Sequence, residues 1–126
     1  MKTFNPSSDH PARAVQAWQI LISKAANRQT VTYEGLSETM YRKPAAGVLA
    51  GILGHIAFYC KEQDIPPLTA LVVVKGEGKP GQKIPVPLTE IDDEREKVYK
   101  YDWYNLYPPN EAEFTSAYKK HHKVAP

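Results

Sequence analysis

The side chains able to do chemistry are few and scattered. Cys60 is the only thiol, and it shares a helical stripe with Ile56, where it serves as a small hydrophobe rather than a nucleophile. The histidines do not gather. His10 is near the start, His55 in the middle and His121-His122 at the end, where adjacent positions face different sides of a helix and make poor joint metal ligands. The acidic run Asp92-Asp93-Glu94 reads as the first turn of a helix, where negative charge meets the N-terminal dipole. There is no phosphate loop, dinucleotide fingerprint, nucleophile elbow or HExxH motif. No metal or cofactor is implied, and no nucleophile, base and orienting group converge, so the expectation is a non-enzymatic protein.

What remains is surface chemistry. Gly47, Ala50, Gly51 and Gly54 fall at i, i+3, i+4 and i+7, giving one helix a face almost without side chains. Two readings stay open: close packing against a helix of the same or a partner chain, or approach to a narrow nucleic-acid groove. Long polar side chains for reading base edges are missing from that face. Arg28, Arg42 and Lys43 in turns, with Lys75, Lys79 and Lys83 around a Gly-rich turn, are candidate phosphate contacts or ordinary solvated turn residues. The run Tyr99 to Tyr107 is dense in aromatic rings. It reads as a lid on the core, or else as a platform for bases or a peptide. Asp92, Asp93, Glu94, Glu96 and Asp102 beside it would repel a phosphate backbone, which favours protein packing for this segment.

The elements that must position these residues follow from periodicity. Residues 1–12 are polar with Pro6 and Pro11 and read as a loose arm. Val15, Trp18, Leu21, Ile22 and Ala25 predict an amphipathic helix from Pro11 to about Asn27. Thr30-Val31-Thr32-Tyr33 is a short β-prone piece leading into a helix from Glu34 to Met40, with Leu36 and Met40 inward. Arg42-Lys43-Pro44 breaks it. A longer helix over Ala45 to Gln63 carries Leu49, Ile52, Leu53, Ile56 and Cys60 as its stripe. Leu68 to Val74 is the strongest strand signal, and Ile84 to Leu88, interrupted by Pro85 and Pro87, predicts an edge strand or extended loop. Thr89 is placed to cap a helix through the acidic run, and Asn110 with Glu113 forms a capping-box pattern before a helix bearing Phe114 and Tyr118.

The order helix, β piece, helix, turn, longer helix, strand and turn is that of a winged helix-turn-helix. With Val15-x-x-Trp18-x-x-Leu21, Thr30-Val31-Thr32-Tyr33, Leu36-Ser37 and the small-residue stretch Ala45-Ala46-Gly47-Val48-Leu49-Ala50-Gly51, the chain resembles the C-terminal domain of alkylguanine DNA alkyltransferases and the alkyltransferase-like proteins. The resemblance covers residues 14–82, about half the chain. It implies a winged-helix fold, duplex DNA as partner, and Tyr33 in the place of a tyrosine near a flipped nucleotide. The departures decide the chemistry. The family's Pro-Cys-His-Arg run is replaced by Leu68-Thr69-Ala70-Leu71-Val72, so no activated thiolate exists for alkyl transfer. The arginine that fills the gap left by a flipped base has no counterpart at Val48 or its neighbours, because none lies between Lys43 and Lys61.

The chain has 126 residues, 42% of them apolar and 24% charged, which suits one soluble domain with a real core. Its formal net charge is only +2, and the basic excess lies in residues 1–83, far from the footprint of an avid nucleic-acid binder. The single cysteine excludes an internal disulfide framework, and the start lacks a leader-like apolar block, so a cytoplasmic setting without membrane contact is expected. The resulting expectation is a single α+β domain: an arm (1–12), a winged-helix-like core (13–88) and a C-terminal helical, aromatic-rich extension (89–126). Its function would be non-enzymatic DNA binding through Arg28, Tyr33, Arg42, Lys43, Gly47, Gly51, Lys75, Lys79 and Lys83. The alternative is a protein-interaction or dimerisation module, using the glycine face or the aromatic patch to hold a partner or a second copy.

Overall fold

A computed structural model describes residues 10–43, 46–74 and 91–121. The fold is mostly helical with one small parallel sheet. In chain order it runs α1 (His10–Ala26), β1 (Val31–Thr32), α2 (Tyr33–Tyr41), a 3-10 turn (Ala46–Val48), α3 (Leu49–Gln63), a 3-10 turn (Leu68–Leu71), β2 (Val72–Val73), α4 (Ile91–Lys100), a 3-10 turn (Trp103–Asn105) and α5 (Glu111–His121). The two strands pair in parallel, Val31 opposite Val72 and Thr32 opposite Val73.

Helix α1 starts at His10, one residue before the expected Pro11. Pro11 sits in its first turn, where a missing N–H costs nothing, so residues 10–12 are helix rather than arm. Its buried side is Ala14, Ala17, Trp18, Leu21, Ile22 and Ala25; the small alanines let α3 and α5 come close. The helix closes with Gln29 N–H donating to the Lys24 carbonyl and Arg28 N–H to that of Ala25, and Arg28 holds a left-handed φ of 54°. Thr32 then caps α2, its hydroxyl accepting from the Gly35 N–H at 2.9 Å. Helices α2 and α3 also end on left-handed non-glycine residues, Arg42 (φ 63°) and Asp64 (φ 55°). Each holds a conformation that disfavours a side chain by roughly 1–2 kcal/mol.

The segment expected as a strand from Leu68 to Val74 is mostly a 3-10 turn, with only Val72–Val73 extended. Its physical reason is burial on more than one side. Leu68 and Leu71, three residues apart, eclipse on one side of a 3-10 turn and both enter the core. Ala70 turns its carbonyl to α4, where Arg95 Nε donates to it at 2.9 Å. A continuous apolar run does not distinguish this from a strand. The proline-interrupted piece over 84–88, the cap at Thr89 and the arm over 1–9 lie outside the described residues.

The C-terminal third is built into the core. Helices α1, α3 and α5 pack mutually, and α4 rests on the 68–71 turn and α1. Trp18 meets Trp103, Phe114 and Tyr59 edge-on at 5.5, 6.1 and 5.7 Å, and Tyr59 meets Phe114 at 5.3 Å, spacings typical of T-shaped aromatic pairs. Trp103 places its indole N–H on the Val98 carbonyl at 2.7 Å, so its polar atom is satisfied inside. At the start of α5 the capping box forms: Glu113 N–H donates to Asn110 Oδ1 at 2.8 Å, and Asn110 N–H to Glu113 Oε1 at 3.1 Å. Phe114 is fully buried, whereas Tyr118 stacks on His55 at 4.1 Å. Phe114→Ala is expected to cost about 3–5 kcal/mol, a large share of the 5–15 kcal/mol typical of a domain. Thermal and urea denaturation check this; an unchanged midpoint would mean the C-terminal third is an appendage.

Candidate nucleic-acid interface

The glycine face of α3 is covered over most of its length. A Cβ built on Gly51 would come within 2.7 Å of the His10 imidazole, and one on Gly54 within 3.4 Å of the Tyr118 ring. His55, beside them, directs Nδ1 at the Gly51 carbonyl (2.7 Å) and meets His10 edge-on at 6.1 Å. The bare ridge is therefore a seam filled by α1 and α5 of the same chain. Gly51, expected as a nucleic-acid contact, is corrected to a packing position, because His10 occupies the space its missing side chain leaves. Gly47 differs: nothing lies within 4 Å of a Cβ there.

Around Gly47 the surface is open and cationic. Arg42 caps α2 with its N–H on the Glu38 carbonyl (2.9 Å), and its left-handed backbone reverses the chain into the turn. Arg42 and Lys43 are both exposed, and among the described residues neither forms an ion pair. Helix α3 continues directly from the Ala46–Val48 turn, with Val48 in helical conformation and no side-chain cap. Arg13, which the sequence did not single out, steadies this corner. Its guanidinium lies 4.4 Å over the Tyr41 ring, and Nη1 donates to the Met40 carbonyl (3.4 Å) and to Gln16 (2.9 Å). Nothing in the local pattern signals that role, since the Met40 carbonyl it reaches is 27 residues away.

The other expected site residues are distributed differently. Arg28 is already engaged: Nη2 donates to both Glu96 oxygens at 2.7 and 2.8 Å, and the guanidinium lies 5.0 Å over Tyr99. Expected as a phosphate contact, Arg28 ties the end of α1 to α4 through an exposed ion pair. The hydrogen bond with Glu96, and then its charge, raise Arg28 above the usual guanidinium range; the same hydrogen bond holds Glu96 below the usual carboxyl range. Tyr33 opens α2, half-buried against the core. Lys75, Lys79 and Lys83 lie outside the described residues.

Cys60 is buried, and burial pushes its thiol up to about 12, against a smaller lowering by a backbone hydrogen bond from Leu68. A thiol so held stays protonated at neutral pH and behaves as core. His121 Nε2 lies 3.3 Å from Glu62 Oε2, but among the described residues no three His, Cys, Asp or Glu side chains come together as metal ligands. No described helix is long and apolar enough to cross a membrane. No protein-family model, curated protein or solved structure matches the chain.

Two outcomes follow from this geometry. Gly51→Leu must displace His10 and should lower the melting temperature, whereas Gly47→Leu, which meets no neighbour, should leave it nearly unchanged; equal effects would contradict the covered seam. Because Glu96 is held low, its contribution to stability is present above the carboxyl's unfolded value and is lost as pH falls through the folded one. The melting-temperature gap between wild type and Glu96→Gln should therefore close between about pH 7 and about pH 3. A gap independent of pH would show that the ion pair contributes nothing.

Proposed function

We propose that this chain is a non-enzymatic duplex-DNA-binding module with a winged-helix-like arrangement, gripping the phosphate backbone at the turn between α2 and α3. The carrying observation is the open corner itself: Arg42 and Lys43, exposed and without an ion pair among the described residues, beside Gly47 at the start of α3. Phosphate oxygens suit such a corner, because the positive end of a helix and two cationic side chains favour an anion at the same place. The absence of side chain at Gly47 removes the bulk that would hold a backbone away. The order of α2, turn and α3 supports a helix-turn-helix reading, and Lys75, Lys79 and Lys83 extend the proposed contact from the sequence. Base-specific readout is not part of the proposal, since the start of α3 carries Gly47, Val48 and Leu49 rather than long polar side chains.

Binding of this kind is driven by counterion release. Affinity for labelled duplex, followed by fluorescence anisotropy, should fall steeply with salt, and each lost phosphate contact should reduce the log–log slope by about 0.9. Lys43→Glu should weaken binding without altering the melting temperature. Arg42→Gly removes a second charge while relieving a left-handed side chain, so it should weaken binding yet hold or raise stability by about 1 kcal/mol. Unchanged affinity in both variants, or no binding to duplex at low salt, would overturn the proposal.

A further inference from the structure

The loop between α4 and α5 has a construction that covering the core does not explain. It is fixed at both ends. Trp103 is buried with its indole N–H satisfied by Val98, Leu106 N–H closes back on the Trp103 carbonyl at 3.3 Å, Pro109 is buried, and the Asn110–Glu113 box locks the start of α5. Yet this anchored loop holds two tyrosines outward, Tyr104 at 65% exposure and Tyr107 at 96%. Aromatic side chains on a preorganised loop lose little entropy on binding and supply much of the energy of protein contacts. Charge narrows the choice of occupant. From Tyr101 to Glu113 the chain has three carboxylates, Asp102, Glu111 and Glu113, and no Lys, Arg or His. Asp102 and Glu111 are exposed and form no ion pair among the described residues. An anionic polymer is repelled by this rim, whereas a guanidinium finds a ring face to lie on and a carboxylate to pair with. The same chemistry operates within the fold, where Arg28 lies over Tyr99 and bonds to Glu96.

We propose that the α4–α5 loop is a docking surface for an arginine-bearing basic segment of a partner protein, with Tyr104 and Tyr107 as guanidinium seats and Asp102 and Glu111 as counter-charges. The surface is separate from the proposed phosphate-binding corner and does not depend on it.

The test is a titration of the full chain with a short synthetic Arg/Gly peptide, followed by amide NMR shifts and calorimetry, alongside Lys/Gly and Glu/Gly peptides of equal length. Saturable shifts centred on residues 102–111 are expected, with arginine binding more tightly than lysine and the Glu/Gly peptide silent. Tyr104→Ser with Tyr107→Ser should weaken binding on the order of tenfold while the melting temperature holds, because both rings are exposed. Asp102→Asn with Glu111→Gln should weaken it and flatten its salt dependence, and Lys43→Glu should leave it unchanged. Shifts spread over all acidic surfaces, equal binding by the Tyr variant, preference for single-stranded DNA, or self-association through this loop without peptide binding would each overturn the proposal.

Discussion

Trp18 must be covered on several sides, and α1 alone covers none of them. Its indole is closed in by Tyr59 from α3 and by Trp103 and Phe114 from the far end of the chain. Burying so large a side chain is among the strongest apolar contributions available to a domain of this size. The consequence is topological. The C-terminal third cannot be an accessory, because without it the central ring of α1 faces water. The same arrangement sets the positions of α3 and α5, and so determines which part of the glycine face is covered and which part stays open.

Much of this was legible in the residues. The stripes on α1 and α3, the Asn110 cap, the inward Cys60 and the acidic first turn of α4 all depend on contacts within a few positions, which spacing reports directly. What could not be read was partnership across distance. Gly51 and Gly47 look alike in sequence, yet one lies under His10 and the other under nothing. Arg28 and Arg42 are both turn arginines with left-handed backbones, but only Arg28 has Glu96 within reach. The Leu68–Leu71 turn was hidden by composition, since an apolar run buried on two sides satisfies strand and 3-10 geometry equally well. The aromatic run separated for the same reason: Trp103 went inward, while Tyr104 and Tyr107 were left out.

Electrostatically the described surface has two unlike regions. At the α2–α3 turn Arg42 and Lys43 form no ion pair among the described residues, while residues 101–113 carry three carboxylates and no Lys, Arg or His. A formal charge of +2 hides this contrast, because the opposing excesses nearly cancel in the sum. Between them, Lys97 with Glu94 and Lys100 with Glu96 are exposed pairs along α4, which soften local charge but add little to stability.

The two-residue ladder between β1 and β2 brings Val31 beside Val72 and Thr32 beside Val73. The stretch from α2 through α3 is thereby a circuit of chain that starts and ends at this seam, with α3 itself packed into the body against α1 and α5. Such a circuit can lengthen or shorten at its outer bend without disturbing the helices that hold the seam together. The bend that bears Arg42 and Lys43 is thus a place where this architecture accommodates a change of length.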